Sequence, residues 1–145
     1  NYMFSFAEVF DQPLDNWNTS AITRMRNTFL NADAFDQDLS SWDISSVTSM
    51  TSILSNSGLS EKNYDATLIG WATQTVEDDV DLGATGLKYC DGRLSRLELI
   101  DNHNWTITGD IVNCSNVFCT TITMFLQILT YIGLPHQMRP VTILT

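Results

Sequence analysis

The sequence predicts an α/β fold: a solenoid of short strand–helix repeats that ends in a C-terminal α/β capping segment. Three observations predict it. A 25-residue repeat fills the first half of the chain, each repeat unit changes its apolar periodicity midway, and the pattern stops at Gly58. Repeats of about 20–50 residues are typical of supersecondary units that stack to bury apolar faces. We therefore divide the chain into repeats at residues 1–58, a cap at 59–114 and an apolar tail of uncertain structure at 115–145.

The repeat is visible when residues 3–27 are aligned with residues 28–52. Ten of the 25 positions are identical, and tryptophan recurs at the same offset, which is improbable by chance. The identical pairs are Phe4/Phe29, Ala7/Ala32, Phe10/Phe35, Asp11/Asp36, Gln12/Gln37, Leu14/Leu39, Trp17/Trp42, Ser20/Ser45, Thr23/Thr48 and Met25/Met50.

The first half of each unit is predicted to form a short strand of the leucine-rich-repeat type. Both units follow the pattern L-x-x-W-x-(T/I), with alternation around the tryptophan. The residues are Leu14, Trp17 and Thr19 in the first unit and Leu39, Trp42 and Ile44 in the second. This pattern predicts an LRR-like solenoid whose parallel strands are centred on Trp17 and Trp42, about 5 Å apart, with both indoles in the core.

The second half of each unit has the periodicity of a short helix. Ser20 and Ser45 are good helix N-caps, and Gly58 is placed to end the second helix. Apolar residues follow at steps of three and four, which puts them on one helix face. They are Ile22, Met25, Phe29 and Ala32, then Val47, Met50, Ile53 and Leu54. Neither half can bury its apolar residues alone, so we expect the units to stack.

The segment after Gly58 has the pattern of a cap. Ser60 is expected to begin a helix over residues 61–74, with Tyr64, Leu68, Trp71 and Ala72 along one face. Residues 80–82, 87–90 and 105–108 are strand-like. Asp91 is expected to cap a second helix whose inward residues are Leu94, Leu97 and Ile100. A strand–helix–strand piece of this kind can cover the open end of a repeat array.

The repeat motifs resemble those of BspA-type leucine-rich-repeat-like bacterial surface proteins. The resemblance rests on Met3-Phe4, Phe10-Asp-Gln-Pro-Leu14, Trp17-Asn-Thr-Ser20 and Ile22-Thr-Arg-Met25. It covers residues 2–57, and residues 58–114 resemble the segment that closes such arrays. It implies a secreted or surface-displayed bacterial protein that acts in adhesion or protein interaction. Because residues 2–4 match the last turn of a repeat helix, we also expect further repeats upstream of Asn1.

The net charge of the chain limits the classes of partner that it can bind. Seven Lys+Arg against 17 Asp+Glu give a formal net charge of −10. Nucleic-acid binding depends on cations that displace counterions from phosphates, so we expect no DNA or RNA partner. The same charge disfavours adhesion to anionic membranes. Residues 117–134 are almost wholly apolar or Thr and approach the length of a membrane span. Packing on the cap, or the start of a further domain, is the alternative.

Candidate chemistry is sparse in this sequence. His103 and His136 have no neighbouring nucleophile or orienting group, and the G-x-S-x-G, P-loop, H-E-x-x-H and dinucleotide-binding motifs are absent. We therefore expect no enzyme and no cofactor. An acidic loop carries oxygen ligands that could suit Ca²⁺, but it lacks the EF-hand spacing, and a solvated acidic turn is the alternative. The loop acids are Glu77, Asp78, Asp79 and Asp81.

Adhesion or protein–protein interaction is the leading functional hypothesis, with a protein or glycan ligand on a cell or matrix surface. The alternative is a carbohydrate-binding or accessory module of a larger secreted protein. Small polar residues around the two strand tryptophans would form a shallow binding strip on the exposed sheet face, or equally a plain solvated face. These residues are Asn16, Asn18, Ser20, Ser41, Asp43 and Ser45.

Three cysteines leave the redox state open. Cys90 ends a predicted strand, and Cys114 follows the strand at 105–108. A strand–helix–strand unit brings its two strands side by side, so these two residues could approach the separation that a disulfide needs. An exported protein would keep such a bond. Two buried free thiols are the alternative, and Cys119 is the odd thiol in either case.

Overall fold

The computed structural model describes residues 1–114 of the 145-residue chain. The predicted tail at 115–145, its apolar run at 117–134 and His136 lie outside these residues. In chain order the elements are helix α1 (Glu61–Ala72), strands β1 (Asp81–Gly83) and β2 (Lys88–Tyr89), helix α2 (Arg93–His103), and strands β3 (Thr106–Thr108) and β4 (Ile111–Val112). No helix among residues 1–114 is long and apolar enough to cross a membrane.

Helix α1 begins where the sequence predicts. The Ser60 hydroxyl caps it by accepting a hydrogen bond from the Asn63 N–H at 3.3 Å. Tyr64, Leu68 and Trp71 are fully buried, as their spacing on one helix face requires. Gly70 lets the helix approach the preceding segment closely, because a Cβ there would lie 2.5 Å from the Ser40 Cβ.

The strand–helix–strand arrangement around α2 is confirmed, with some corrections. Strand β1 pairs with β3, and β2 pairs with β4, both in parallel. The expected cap by Asp91 is wrong: the N-cap is Gly92, which has no side chain of its own to accept a hydrogen bond from the first turn. Leu94, expected to face inward, is 66% exposed, whereas Leu99 is the buried leucine of the helix.

The predicted LRR-like solenoid of strand–helix repeats is wrong. Among residues 1–114 the fold has two helices and two short, two-stranded parallel sheets, and all of these elements follow residue 60. Residues 1–58 form turns, with isolated parallel bridges at Arg24–Ser49 and Met50–Leu82. Neither Trp17 nor Trp42 lies in a strand, and no helix follows Ser20 or Ser45.

Left-handed backbone explains why the expected helices do not form. Within the segments expected to be helical, φ is 54° at Asn27, Asn31 and Ser52 and 55° at Asn56. A residue in the left-handed region interrupts a right-handed helix, and asparagine tolerates that region better than most residues. Turns recurring every four residues therefore replace the helix, although their apolar spacing mimics one.

The 25-residue offset of the sequence appears in the backbone contacts between neighbouring segments. N–H groups of residues 2, 4 and 6 donate to the carbonyl oxygens of residues 26, 28 and 30 at 2.8–3.0 Å. N–H groups of residues 27, 29 and 31 donate in the same way to residues 51, 53 and 55. The Leu54 N–H then donates to Gly83 in β1. In these bonds the earlier segment donates to the later one, whereas the Thr48 and Gly58 N–H groups donate in the opposite direction, to Thr23 at 2.9 Å and Ala32 at 3.0 Å.

The core contains most of the residues predicted to face inward. From the two expected helices, the buried set is Met25, Phe29, Ala32, Val47, Met50, Ile53 and Leu54. The phenylalanines and tryptophans stack at the repeat offset: Phe4 on Phe29 at 5.5 Å and Trp17 on Trp42 at 6.4 Å between ring centroids. Trp42 is 2% exposed, but Trp17, also predicted to be core, is 42% exposed. The first segment is therefore only half covered.

Candidate functional site

The histidine of the described chain has a single side-chain partner. His103 lies at the last position of α2, and its Nδ1 is 3.0 Å from Asp78 Oδ1. The pair is held on the surface: 28% of the His103 side chain and 69% of the Asp78 side chain are exposed. A catalytic base needs a group to activate as well as a group that orients it. Among residues 1–114 this pair supplies only the group that orients the imidazole, which is Asp78.

The acidic loop does not assemble a cation site. Among residues 1–114 no group of three or more His, Cys, Asp or Glu side chains is arranged to hold a metal ion. Asp78 contacts His103, Asp79 accepts a hydrogen bond from the Asn104 amide, and the Glu77 carbonyl accepts one from the Trp105 indole N–H at 2.9 Å. These contacts tie the loop to the end of α2, and the four acids do not converge.

The predicted polar strip is exposed, but it does not lie on a strand. Asn16, Asn18, Ser20, Ser41, Asp43 and Ser45 are all exposed. The Ser20 hydroxyl donates to Asn18 Oδ1 at 2.7 Å, and the Ser45 hydroxyl donates to Asp43 Oδ1 at 2.6 Å. The Ser45 hydroxyl, followed by its backbone N–H, lowers the pKa of Asp43 by hydrogen bonding to the carboxylate. These side chains mainly stabilise their own turns, and a binding role for them stays a prediction.

Cys90 and Cys114 are both disulfide-bonded. The Cys90 backbone N–H also donates to both carboxylate oxygens of Asp65, at 3.0 and 3.2 Å. The same carboxylate accepts the N–H groups of Asp91 at 3.0 Å and Gly92 at 2.9 Å. Asp65 is 6% exposed. This internal anion occupies the donors that precede α2 and fixes that helix against α1.

A second buried polar cluster joins α1 and α2 to the turn after β3. Arg96 forms a bidentate ion pair with Asp110 at 2.7 and 2.8 Å, and the Tyr64 hydroxyl donates to the same carboxylate at 2.9 Å. The Arg96 guanidinium also lies 5.0 Å from the centre of the Tyr89 ring. Burial raises the pKa of Tyr64 well above its usual value, and the Asp110 charge raises it further. The Asp110 carboxylate thus accepts three hydrogen bonds from within the protein, and the cluster holds α1 and α2 to this turn.

Exposed apolar side chains concentrate at the N-terminal end of the described chain. Nine large apolar side chains are exposed among residues 1–114, and five of them lie within the first 17 residues. These five define the end surface: Tyr2 at 63%, Met3 at 64%, Phe6 at 65%, Val9 at 91% and Trp17 at 42% exposed. These five side chains are therefore the candidates for an interaction surface.

Backbone conformation distinguishes two residues of the end surface. Tyr2 has φ 61° and Phe6 has φ 60°. Their equivalents one repeat later, Asn27 and Asn31, adopt the same conformation with a side chain suited to it. The next repeat has Ser52 and Asn56 at these two positions, so Tyr2 and Phe6 are aromatic where the later segments carry small polar residues. This surface was not predicted, although the alignment of Tyr2 with Asn27 and of Phe6 with Asn31 could have indicated it.

These observations define a class: an acidic protein with a 25-residue sequence repeat and an apolar end surface. The chain belongs to the family described as "Mycoplasma protein of unknown function, DUF285", whose family model matches residues 1–82. The match covers the whole repeat region together with α1 and most of β1. No curated protein and no solved structure matches the chain.

Proposed function

We propose that this DUF285 chain is a non-enzymatic protein of the bacterial cell surface or of the secreted fraction that acts in adhesion or protein–protein interaction. The observation that carries the proposal is the exposure of aromatic and aliphatic groups at Tyr2, Met3, Phe6, Val9 and Trp17, the end surface. Aromatic residues and methionine are enriched at protein interfaces. The resemblance of the repeat to BspA-type surface proteins agrees with this role.

Two conformational features support binding rather than plain packing at this surface. Tyr2 and Phe6 keep a left-handed backbone that is unfavourable for aromatic residues, and they do so while more than half exposed. Strained backbone conformations cluster at binding sites, and exposed apolar area marks interaction surfaces. A bound partner that covers the rings would compensate for both.

Surface display also agrees with the two disulfide-bonded cysteines, because such bonds persist in oxidising compartments and are rare in the bacterial cytosol. The high negative charge of the chain supports a protein or glycan ligand over nucleic acid.

A carbohydrate-binding or accessory module is the second candidate. It is favoured by Trp17, whose indole is stacked on Trp42 from one side and remains 42% exposed. A ring fixed in this way can present an apolar platform to a sugar.

The test exchanges the two strained aromatics for the residue that the fold uses one repeat later. The double variant Tyr2→Asn/Phe6→Asn keeps the backbone conformation and removes both rings from the surface. Wild type, this variant and the control Leu94→Asn, which removes a leucine of equal exposure from α2, are immobilised and titrated with a panel of extracellular-matrix proteins and glycans. We expect the double variant to bind at least about tenfold more weakly than wild type, and the control to bind normally.

Three results would overturn the proposal. The first is wild-type protein that binds no member of the panel. The second is an equal loss of binding in Leu94→Asn, which would show that general surface apolarity is being measured. The third is turnover of a defined substrate that a point mutation abolishes. Binding of glycans alone, lost in Trp17→Ala, would select the second candidate.

A further inference from the structure

The exposed turn at Asn18 contains a three-residue pattern that is typical of asparagine-linked glycosylation. Asn18-Thr19-Ser20 follows the pattern N-x-S/T, in which x is not proline. The same pattern occurs twice more, at Asn104-Trp105-Thr106 and at Asn113-Cys114-Ser115. The pattern alone does not select among the three asparagines, so the structure around each of them decides.

The Asn18 side chain is held through its oxygen, which leaves its nitrogen without a partner. Oδ1 accepts hydrogen bonds from the Ser20 hydroxyl at 2.7 Å and from the Ser20 backbone N–H at 3.2 Å. A backbone N–H can only donate, so the amide oxygen must face Ser20. Nδ2 donates to no group of residues 1–114, and both Asn18 and Ser20 are exposed. The nitrogen of this amide is therefore available to an enzyme.

The residue between these two polar side chains fixes the turn. Thr19 is 2% exposed, and its hydroxyl donates to the Asp43 carbonyl at 2.9 Å. The Thr19 carbonyl accepts the Ile22 N–H at 2.9 Å. Because the middle residue is buried and hydrogen-bonded on both sides, the exposed Asn18 amide is presented in one conformation.

The same turn recurs 25 residues later, so its exposure does not depend on its position along the chain. The Ser45 hydroxyl and N–H donate to Asp43 Oδ1 at 2.6 and 3.0 Å. Both residues are exposed although the first segment packs against the second. A further segment that stacked on the first in the same manner would therefore leave Asn18 exposed. Asp43 carries a carboxylate in place of the amide, so the second turn has the geometry without the nitrogen.

The other two asparagines have their amide nitrogens engaged. Asn104 donates its Nδ2 to the Asp79 carboxylate, and the Trp105 that follows it is 3% exposed. Asn113 donates its Nδ2 to Glu61 Oε2 at 2.6 Å. A hydrogen bond to a charged acceptor must break before either nitrogen can react. Within residues 1–114 the fold therefore favours the first of the three asparagines.

We propose that Asn18 is a modification site at which the folded chain accepts an asparagine-linked sugar. The inference goes beyond the proposed binding function and does not depend on the end surface. N-linked sugars of this type are carried on surface loops of secreted proteins, which agrees with surface display.

The reaction needs a separate transferase and a sugar donor activated at C1 by a diphosphate, which is linked to a nucleotide or a lipid. Nδ2 of Asn18 forms a bond to C1, and the bond between C1 and the diphosphate oxygen breaks with its electron pair on the departing diphosphate. One amide proton passes to a base of the transferase. The two hydrogen bonds from Ser20 to Oδ1 stabilise the negative charge that develops on the amide as this proton leaves.

The first experiment treats the folded whole chain with UDP-glucose and a purified N-glycosyltransferase that recognises N-x-S/T, followed by peptide mapping with mass spectrometry. Peptides of residues 13–23 and 99–109 are the references, because they contain the same two patterns without the fold. We expect the ratio of the Asn18 rate to the Asn104 rate to be at least about tenfold higher in the folded chain than in the peptides, since the hydrogen bond to Asp79 must break first.

Two variants use the repeated turn as a matched control. Asn18→Asp gives the first turn the carboxylate of the second and should abolish modification there. Asp43→Asn gives the second turn the N-x-S pattern and should add one hexose at position 43, at a rate within about threefold of that at Asn18. Both substitutions keep the oxygen that accepts the serine hydrogen bonds, so each turn is retained.

The decisive measurement is a peptide map of the chain isolated from the cells that produce it. We expect a sugar on the peptide that contains Asn18, and recovery of this residue only in unmodified form would overturn the inference. Equal rate ratios in the folded chain and in the peptides would overturn it as well, as would an Asp43→Asn variant that gains no hexose. None of these results bears on the proposed binding function, because binding to the panel is measured separately on protein that carries no sugar.

Discussion

Replacing the two equivalent tryptophans by alanine should have very different effects on the free energy of unfolding. Trp42 is 2% exposed, stacks on Trp17 at 6.4 Å between ring centroids and lies 5.9 Å from the Phe29 ring. Its indole N–H also donates to the Leu14 carbonyl at 3.0 Å. Truncating a buried tryptophan costs about 3–5 kcal/mol. The Leu14 carbonyl keeps its hydrogen bond from the Trp17 N–H at 3.1 Å, so it adds little to this cost. Trp42→Ala should therefore destabilise the chain by about 3–5 kcal/mol.

Trp17→Ala is the matched control, because Trp17 belongs to the same column but is 42% exposed. Because only about half of the Trp17 indole is buried, its removal loses roughly half of the buried apolar area of a core tryptophan, which corresponds to about 2 kcal/mol. The difference between the variants, about 1–3 kcal/mol, is a sizeable share of the stability of a small domain. It corresponds to a gap of roughly 4–12 °C between the two melting temperatures.

The measurement is thermal and urea unfolding followed by far-ultraviolet circular dichroism, since tryptophan fluorescence itself changes in both variants. Melting temperatures of the two variants within about 2 °C of each other would refute the assignment of Trp42 to the core and Trp17 to the surface. A larger loss in Trp17→Ala would reverse it.

Three further predictions concern the polar clusters and the cysteines. Asp65→Ala removes the carboxylate that accepts the N–H groups of Cys90, Asp91 and the buried Gly92, and should cost about 2–3 kcal/mol in a urea titration, so a loss below about 1 kcal/mol would contradict the role of Asp65 in holding these groups. Burial, followed by the charge and hydrogen bond of Asp110, raises the pKa of Tyr64. The stability that the neutral hydroxyl contributes is therefore complete below pH 10.0 and is lost as the pH rises through the folded-state pKa. Tyr64→Phe should flatten this alkaline decline, and an unchanged profile would exclude Tyr64 as its source. Non-reducing peptide mapping should recover Cys90 and Cys114 in one disulfide-linked pair whose reduction costs about 3–4 kcal/mol, whereas a Cys90 peptide that alkylates without reductant would end that pairing.

The helices and strands of residues 59–114 were largely predictable because their sequence signals are local. Ser60 followed by a periodic apolar run defines α1 within two residues of its observed end, and alternation at 105–108 locates β3. Burial was predictable even where the secondary structure was not: Met25, Phe29 and Met50 are buried as expected although no helix carries them. An apolar residue at every third or fourth position is compatible with a stack of turns as well as with a helix.

What the sequence pattern could not show is the conformation between those apolar residues. Asn27, Asn31 and Asn56 recur at the four-residue and 25-residue offsets, and this recurrence of left-handed residues was the available signal against a helix. The predicted binding strip failed for a related reason. Asn18 and Asp43 look like exposed strand residues, but each bonds to the serine two positions later and closes a turn, a local competition that alternation alone does not reveal.

The sequence separation of these contacts also determines how soon each segment can fold during synthesis. Within residues 1–82, side-chain hydrogen bonds between neighbouring segments span 23 to 32 residues, as between Arg26 and Ser49 or between Trp71 and Leu39. Loop closure therefore carries nearly the same entropy for each segment, because that entropy depends weakly on length. On a ribosome that adds about 5–20 residues per second, each segment waits only a few seconds for the stretch that completes it. The nascent chain can thus fold in the order in which it is made, with one short aromatic-rich stretch unprotected at a time.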